Sequence, residues 1–238
     1  MSTSAASLIE STNTFASGYL RRRYAILFYS LLLTFVASPL LAALQRKSTF
    51  IEVLLATNLL VAVIPIRTGY ARRALLVLVT IAFAGRLFTA SLGEAFSSVN
   101  LGIWTVVGLL AAANALRSTL HATSIDSEHI YAALSAYLLA GLSLGVLYLA
   151  LERVWPGSLN YGGGIPDNFV LADGIYFSFV TLATLGYGDF VPKTQVARGL
   201  AILEAVVGQL YLGVMVARLV SLYVSGTAAG KQAGPEVR

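Results

Sequence analysis

The stretch Asp173-Gly174-Ile175-Tyr176-Phe177-Ser178-Phe179-Val180-Thr181-Leu182-Ala183-Thr184-Leu185-Gly186-Tyr187-Gly188-Asp189 decides how the chain is read. A short apolar run ends in Thr184-Leu185-Gly186-Tyr187-Gly188, with two glycines two residues apart. In an ordinary strand, groups on successive residues alternate sides. Turning successive carbonyls to one side needs alternate residues in left-handed geometry, which glycine enters without a Cβ penalty. Gly186 and Gly188 supply that spacing. Thr184 adds a hydroxyl oxygen at one end, and the Tyr187 ring is large enough to brace the strand from outside. Oxygens aimed at a common axis replace the water shell of a cation. Residues 171–183 are expected to form the short helix before the strand, and its C-terminal partial negative charge favours a dehydrated cation there. A glycine-rich turn between two helices is the plain alternative. The short helix before it, an apolar span on each side and Asp189 after it argue against that alternative.

Working outward, the whole chain is unusually apolar. Only 11% of its 238 residues are charged and 57% are hydrophobic. Ordinary soluble domains carry about 25% charged residues, and a chain of this size could not hide so much apolar surface from water. The same numbers exclude intrinsic disorder for its bulk. With no cysteine, disulfides, thiol chemistry and Cys-type zinc sites are excluded. His121 and His129 are too few for a His-rich metal site. The net charge of +5 sits beside apolar runs, a pattern of membrane topology rather than of nucleic-acid binding. No Walker loop, G-x-S-x-G or H-E-x-x-H occurs, so no enzyme is expected and no cofactor is required.

Apolar runs at 24–44, 49–66, 74–92, 99–116, 130–151 and 199–224 are each near the ~20 residues that cross a bilayer as a helix. The run at 169–183 is too short to cross and reads as a re-entrant segment, allowed only where protein or water surrounds it. The expected fold is therefore an all-α membrane protein with six transmembrane helices, a re-entrant pore helix and an extended filter strand. Residues 1–23 form an N-terminal tail, 24–117 a four-helix domain, 118–129 a linker, 130–224 a pore domain and 225–238 a C-terminal tail. The Ser/Thr-rich start, with Glu10 its one charge, lacks the basic and apolar order of a signal peptide. Arg21-Arg22-Arg23, then Arg67, Arg72, Arg73 and Arg117, favour cytoplasmic N- and C-termini, against which Arg46 and Lys47 vote.

Residues 130–224 resemble the pore module of tetrameric potassium channels: outer helix, pore helix, filter, inner helix. The six-span layout is similar to that of the voltage-gated-like superfamily, by count only in its first four spans. The resemblance implies that Thr184, Leu185, Gly186, Tyr187 and Gly188 bind K+ through their carbonyls and the threonine hydroxyl. Leu185 replaces the usual Val or Ile, and Ala183 stands where a second threonine is common. Asp189 follows the filter as in most relatives, and Tyr176 sits where an aromatic donor often bonds that aspartate. Tyr176 and Phe177 are then filter supports. Val180 replaces a residue that is acidic in some relatives. Gly208, 24 residues after Thr184, falls where the family has its hinge glycine, and with Gly213 it is a candidate for bending or for close packing.

Glu204 lies inside the last span, one turn before Gly208. It is either a cation-attracting ring near the cavity or a structural hydrogen-bonding group to the pore helix or a neighbouring subunit. Arg86 and Glu52, at similar depth in the third and second spans, are expected to pair. Asn58, Asn100 and Asn114 read as interhelical hydrogen-bonding groups. Residues 99–116 carry no charge, so the fourth span lacks the repeated arginines of a voltage sensor. Thr123-Ser124-Ile125-Asp126 resembles a capping box, and 155–168, with Pro156, Pro166 and the Gly162-Gly163-Gly164 run, reads as an exposed loop. The expected protein is a passive, K+-selective homotetramer, because one filter strand cannot surround an ion. It is expected in the plasma membrane with lipid, K+ at the filter residues as its only metal, and no nucleic-acid partner. A weakly selective cation channel, a K+ transporter subunit and a non-conducting subunit are the competing readings.

Overall fold

The structure, a computed structural model, describes residues 22–43, 54, 57–62, 73, 76–81, 83–85, 94–121, 126–161 and 169–232. The elements are α1 (Arg23–Ala43), α2 (Glu94–Leu120), α3 (Ser127–Val154), β1 (Leu159–Tyr161), α4 (Leu171–Leu182), β2 (Phe190–Pro192) and α5 (Gln195–Gln232). Shorter helical pieces lie at 57–62 and 76–81. Among the described residues, three helical stretches are long and apolar enough to cross a membrane: Ser98–Leu120, Ser127–Val154 and Gln195–Arg218. They coincide with the fourth, fifth and sixth expected spans. α1 covers the first, whereas much of the second and third lies outside the described residues. So do Glu52 and Arg86, and with them their expected pairing.

α3 is the hub, packing against α1, α2, α4 and α5. Its inward stripe is Ala132, Ala136, Leu139, Leu142 and Val146, meeting Leu27 and Leu31 of α1, Val107 and Ala111 of α2, and Ile175 of α4. Small residues set how closely these helices approach. A Cβ on Gly145 would lie 2.6 Å from the Ile175 Cα, and one on Gly174 would strike the Gly145 carbonyl oxygen. A polar link joins the 57–62 piece to α1: Asn58 donates to the Thr34 hydroxyl at 2.6 Å. The Phe35 ring of α1 meets Phe179 of α4 edge-on, centroids 4.7 Å apart.

Burial is unequal. Of the apolar span of α3, 67% is buried, but only 17% of that of α5, so the last helix shows a long apolar surface that the single chain leaves uncovered.

Three local expectations are corrected. The cap of α3 is Asp126 itself, extended at φ −117° and ψ 173°, and its side chain accepts the His129 N–H at 3.0 Å. A residue in that geometry cannot be the third residue of a helix begun at Thr123, so the capping box was placed three residues early. The loop after α3 is not wholly exposed either. Ser158, Leu159 and Asn160 are buried, and β1 pairs antiparallel with β2, Leu159 opposite Pro192 and Tyr161 opposite Phe190. The Glu152 carboxylate organises this corner by accepting the Gly157 N–H at 2.5 Å and the Leu159 N–H at 2.9 Å. Finally, α5 continues through Gln232, so the expected tail from 225 is helical over its first part.

Candidate functional site

α4 opens where Asp173 accepts the Val170 N–H at 2.9 Å, a cap supplied from the third helical position. It closes with paired bonds: Thr184 N–H to the Thr181 carbonyl at 2.9 Å and Leu185 N–H to the Val180 carbonyl at 2.8 Å. This is a Schellman stop, which needs a left-handed residue just past the cap and usually takes glycine there. Here it takes Thr184, at φ +55°. Gly186 follows at φ +55° and Gly188 at φ +80°. Left-handed residues thus recur at 184, 186 and 188, the alternation that turns successive carbonyls to one side. Sequence reasoning finds the two glycines and misses the threonine, because threonine ordinarily avoids this region. A Cβ on Gly186 or Gly188 would meet nothing within 4 Å, so backbone geometry rather than crowding calls for glycine.

The strand is exposed from Ala183 to Gly188 in the single chain. Its far end is anchored: the Tyr176 hydroxyl donates to Asp189 at 2.6 Å, the bond anticipated above, and Asp189 also accepts the Phe190 N–H at 2.9 Å. The tyrosine hydrogen bond, foremost, holds the Asp189 carboxyl below its ordinary value. Phe177 is buried and packs edge-on against Tyr148 with centroids 4.7 Å apart. Behind the strand lies a groove of about 850 Å³ bordered by Phe35, Leu142, Tyr176, Phe179 and Tyr187.

Glu204 does not face an open passage. It is 1% exposed, accepting from the Ser178 hydroxyl at 2.5 Å and from the Tyr148 hydroxyl at 2.7 Å. Ser178 also reaches the Gly141 carbonyl at 2.8 Å. The carboxyl therefore ties α5 to α4 and α3. The sequence offered no sign of Ser178 or Tyr148 as its partners, since both are common residues of buried helices.

The two glycines of α5 singled out above, Gly208 and Gly213, differ. A Cβ on Gly208 would strike the Leu182 carbonyl oxygen and lie 3.0 Å from the Leu182 Cδ1, whereas one on Gly213 would meet nothing within 4 Å. Gly208 lets α5 close on the end of α4. Beside it, Gln209 donates to the Thr184 hydroxyl at 3.1 Å, a contact that the sequence reading did not foresee. Further down, Arg218 donates to the Thr119 carbonyl at 3.3 Å, joining α5 to the end of α2.

With this geometry in place, the comparisons fall on the same region. Residues 133–225 match a family described as ion channel. The chain is 34% identical over 85 residues to "Two pore potassium channel c" of Oryza sativa subsp. japonica, covering 36% of this chain and 18% of that protein. It is 39% identical over 88 residues to "Two-pore potassium channel 4" of Arabidopsis thaliana, covering 37% of this chain and 28% of that protein. "Two-pore potassium channel 3" of Arabidopsis thaliana is 33% identical over 92 residues, 18% of its length. The chain thus spans less than a third of the length of these curated relatives. No solved structure is significantly similar to it. The similarity and the long apolar helices together support an integral membrane protein.

Proposed function

We propose that this chain is a subunit of a passive potassium-selective channel, its filter formed by four Thr184–Gly188 strands around a common axis. The observation that carries the reading is the left-handed geometry at Thr184, Gly186 and Gly188, which gives each strand a file of oxygens to replace hydration. The relatives named as potassium channels support the choice of ion. In this reading Tyr176, Phe177 and Asp189 support the filter, and α4 is a re-entrant pore helix between an outer helix, α3, and an inner helix, α5. The exposed strand and the uncovered apolar side of α5 support a homotetramer, because one strand leaves most of an ion's surroundings empty. Six spans, cytoplasmic termini and a plasma-membrane location complete the proposal, with residues 24–117 as a lipid-embedded domain that does not sense voltage. Gly208 serves as a packing contact, with Gly213 the freer point for bending.

The test is flux through liposomes holding only this protein. Rubidium uptake driven by an outward K+ gradient, with a reversal potential in mixed K+ and Na+ near that of K+, is the expected result. Equal permeation of Na+ would favour the weakly selective cation channel, and uptake that required a second coupled ion would favour the transporter subunit. Silence under all voltages and pH values tried would overturn conduction by this chain alone.

A further inference from the structure

We propose that Gln209 is a positioning residue for the innermost cation site, fixing the Thr184 hydroxyl so that one of its lone pairs faces the axis; this rests on the channel reading above.

A threonine hydroxyl has one proton and two acceptor positions. Left alone at the mouth of a water-filled cavity, it rotates, and its oxygen is aimed at an ion only part of the time. In this structure the side-chain amide of Gln209 donates to Thr184 Oγ1 at 3.1 Å. That donor occupies one acceptor position and leaves the other to a cation. The backbone at Thr184 is already held left-handed by the Schellman stop at φ +55°, so the rotor is the remaining freedom, and the amide removes it. The reach depends on Gly208, whose missing side chain lets α5 lie against the Leu182 carbonyl. Both Gln209 and Thr184 are exposed in the single chain, on the side left for the axis. Glu204, the carboxyl of the same helix, is buried behind α4 with its own donors and does not compete for Thr184.

The experiment is a double-variant cycle on the purified full-length chain in detergent. Ba2+, which has nearly the radius of K+ and twice its charge, is titrated calorimetrically in a Na+ background. Gln209→Met keeps the length and removes the donor, Gln209→Ala removes both, and Thr184→Val removes the hydroxyl. Each glutamine variant is expected to weaken Ba2+ binding about tenfold, in the range of coupling between contacting residues. Added to Thr184→Val, neither is expected to weaken it further, a result that a merely structural glutamine would not give. Binding by Gln209→Met equal to wild type, losses that multiply in the double variant, or a wild type that binds no Ba2+ would each overturn the inference. Rubidium flux on the same preparations separates the two readings. A silent wild type with an intact cycle sinks conduction only, and a conducting wild type with a flat cycle sinks the role of Gln209 only.

Discussion

Thr184 is the residue at which two requirements meet. A helix stop and a strand with its carbonyls turned to one side each need a left-handed position, and here one residue serves both. Replacing Thr184 by glycine should preserve the backbone and remove the hydroxyl, whereas the β-branched Thr184→Val keeps the strain and loses the oxygen. At the other end, Tyr176→Phe removes the donor to Asp189 and is expected to cost about 1 kcal/mol of stability, read as a lower midpoint in K+-dependent thermal unfolding. The pH sign follows from the same bond. The Asp189 carboxyl titrates below its ordinary 3.8 when folded, so its contribution is whole above that value and fades as pH falls through the depressed one. Thermal stability should therefore be flat in this respect down to about pH 5, and Tyr176→Phe should flatten the fall below it, because the carboxyl then titrates nearer its ordinary value in the folded protein too. Glu204 gives a sharper contrast. Tyr148→Phe leaves a buried carboxyl short of a donor and should cost about 1–3 kcal/mol. Ser178→Ala should cost a similar amount, and Glu204→Gln less, because it keeps the shape and an acceptor oxygen.

At the scale of elements, glycines in the same helix are not equivalent. Gly208→Ala should destabilise the assembly or shift α5 away from α4, since its Cβ has no room beside Leu182. Gly213→Ala should be neutral or stabilising by up to about 1 kcal/mol, the helix-propensity gain. Thermal midpoints of the two purified variants check the pair. Much of this was legible beforehand. The spans at α2, α3 and α5 were readable because apolar runs of bilayer length have few other uses, and Gly186 and Gly188 because few residues share their backbone freedom. Glu204 was readable as an oddity, but its partners were not, since they come from helices separated from it by 26 and 56 residues. The β1–β2 pair was hidden for the opposite reason. Leu159–Tyr161 is three residues long and lies beside glycines and prolines that read as loop. Gln209 was invisible because a polar residue in an apolar helix has no address until the fold brings it to Thr184.

At the scale of the whole molecule, the described surface asks for company. α5 leaves Ile202, Val206, Leu210 and Val214 exposed, along with Leu185 and Tyr187 of the strand. Purified protein is expected to run as four chains by mass measurement, and a charge at Leu210 should reduce that to smaller species. A voltage response is not expected of the first half. α2 carries no charge from Ser98 to Leu116, with Arg117 in its last turn. Arg117→Gln should leave the conductance–voltage relation unchanged, as single-channel recording would show.

The edge-on contact between Phe35 and Phe179 gives α1 a place that the count of spans alone would not. The first helix is a buttress leaning on α4, so a tilt of α1 reaches α4 without passing through α5. Phe35→Ala should remove that strut and lower the thermal midpoint of the purified protein, the loss expected of a large-to-small change in a packed contact.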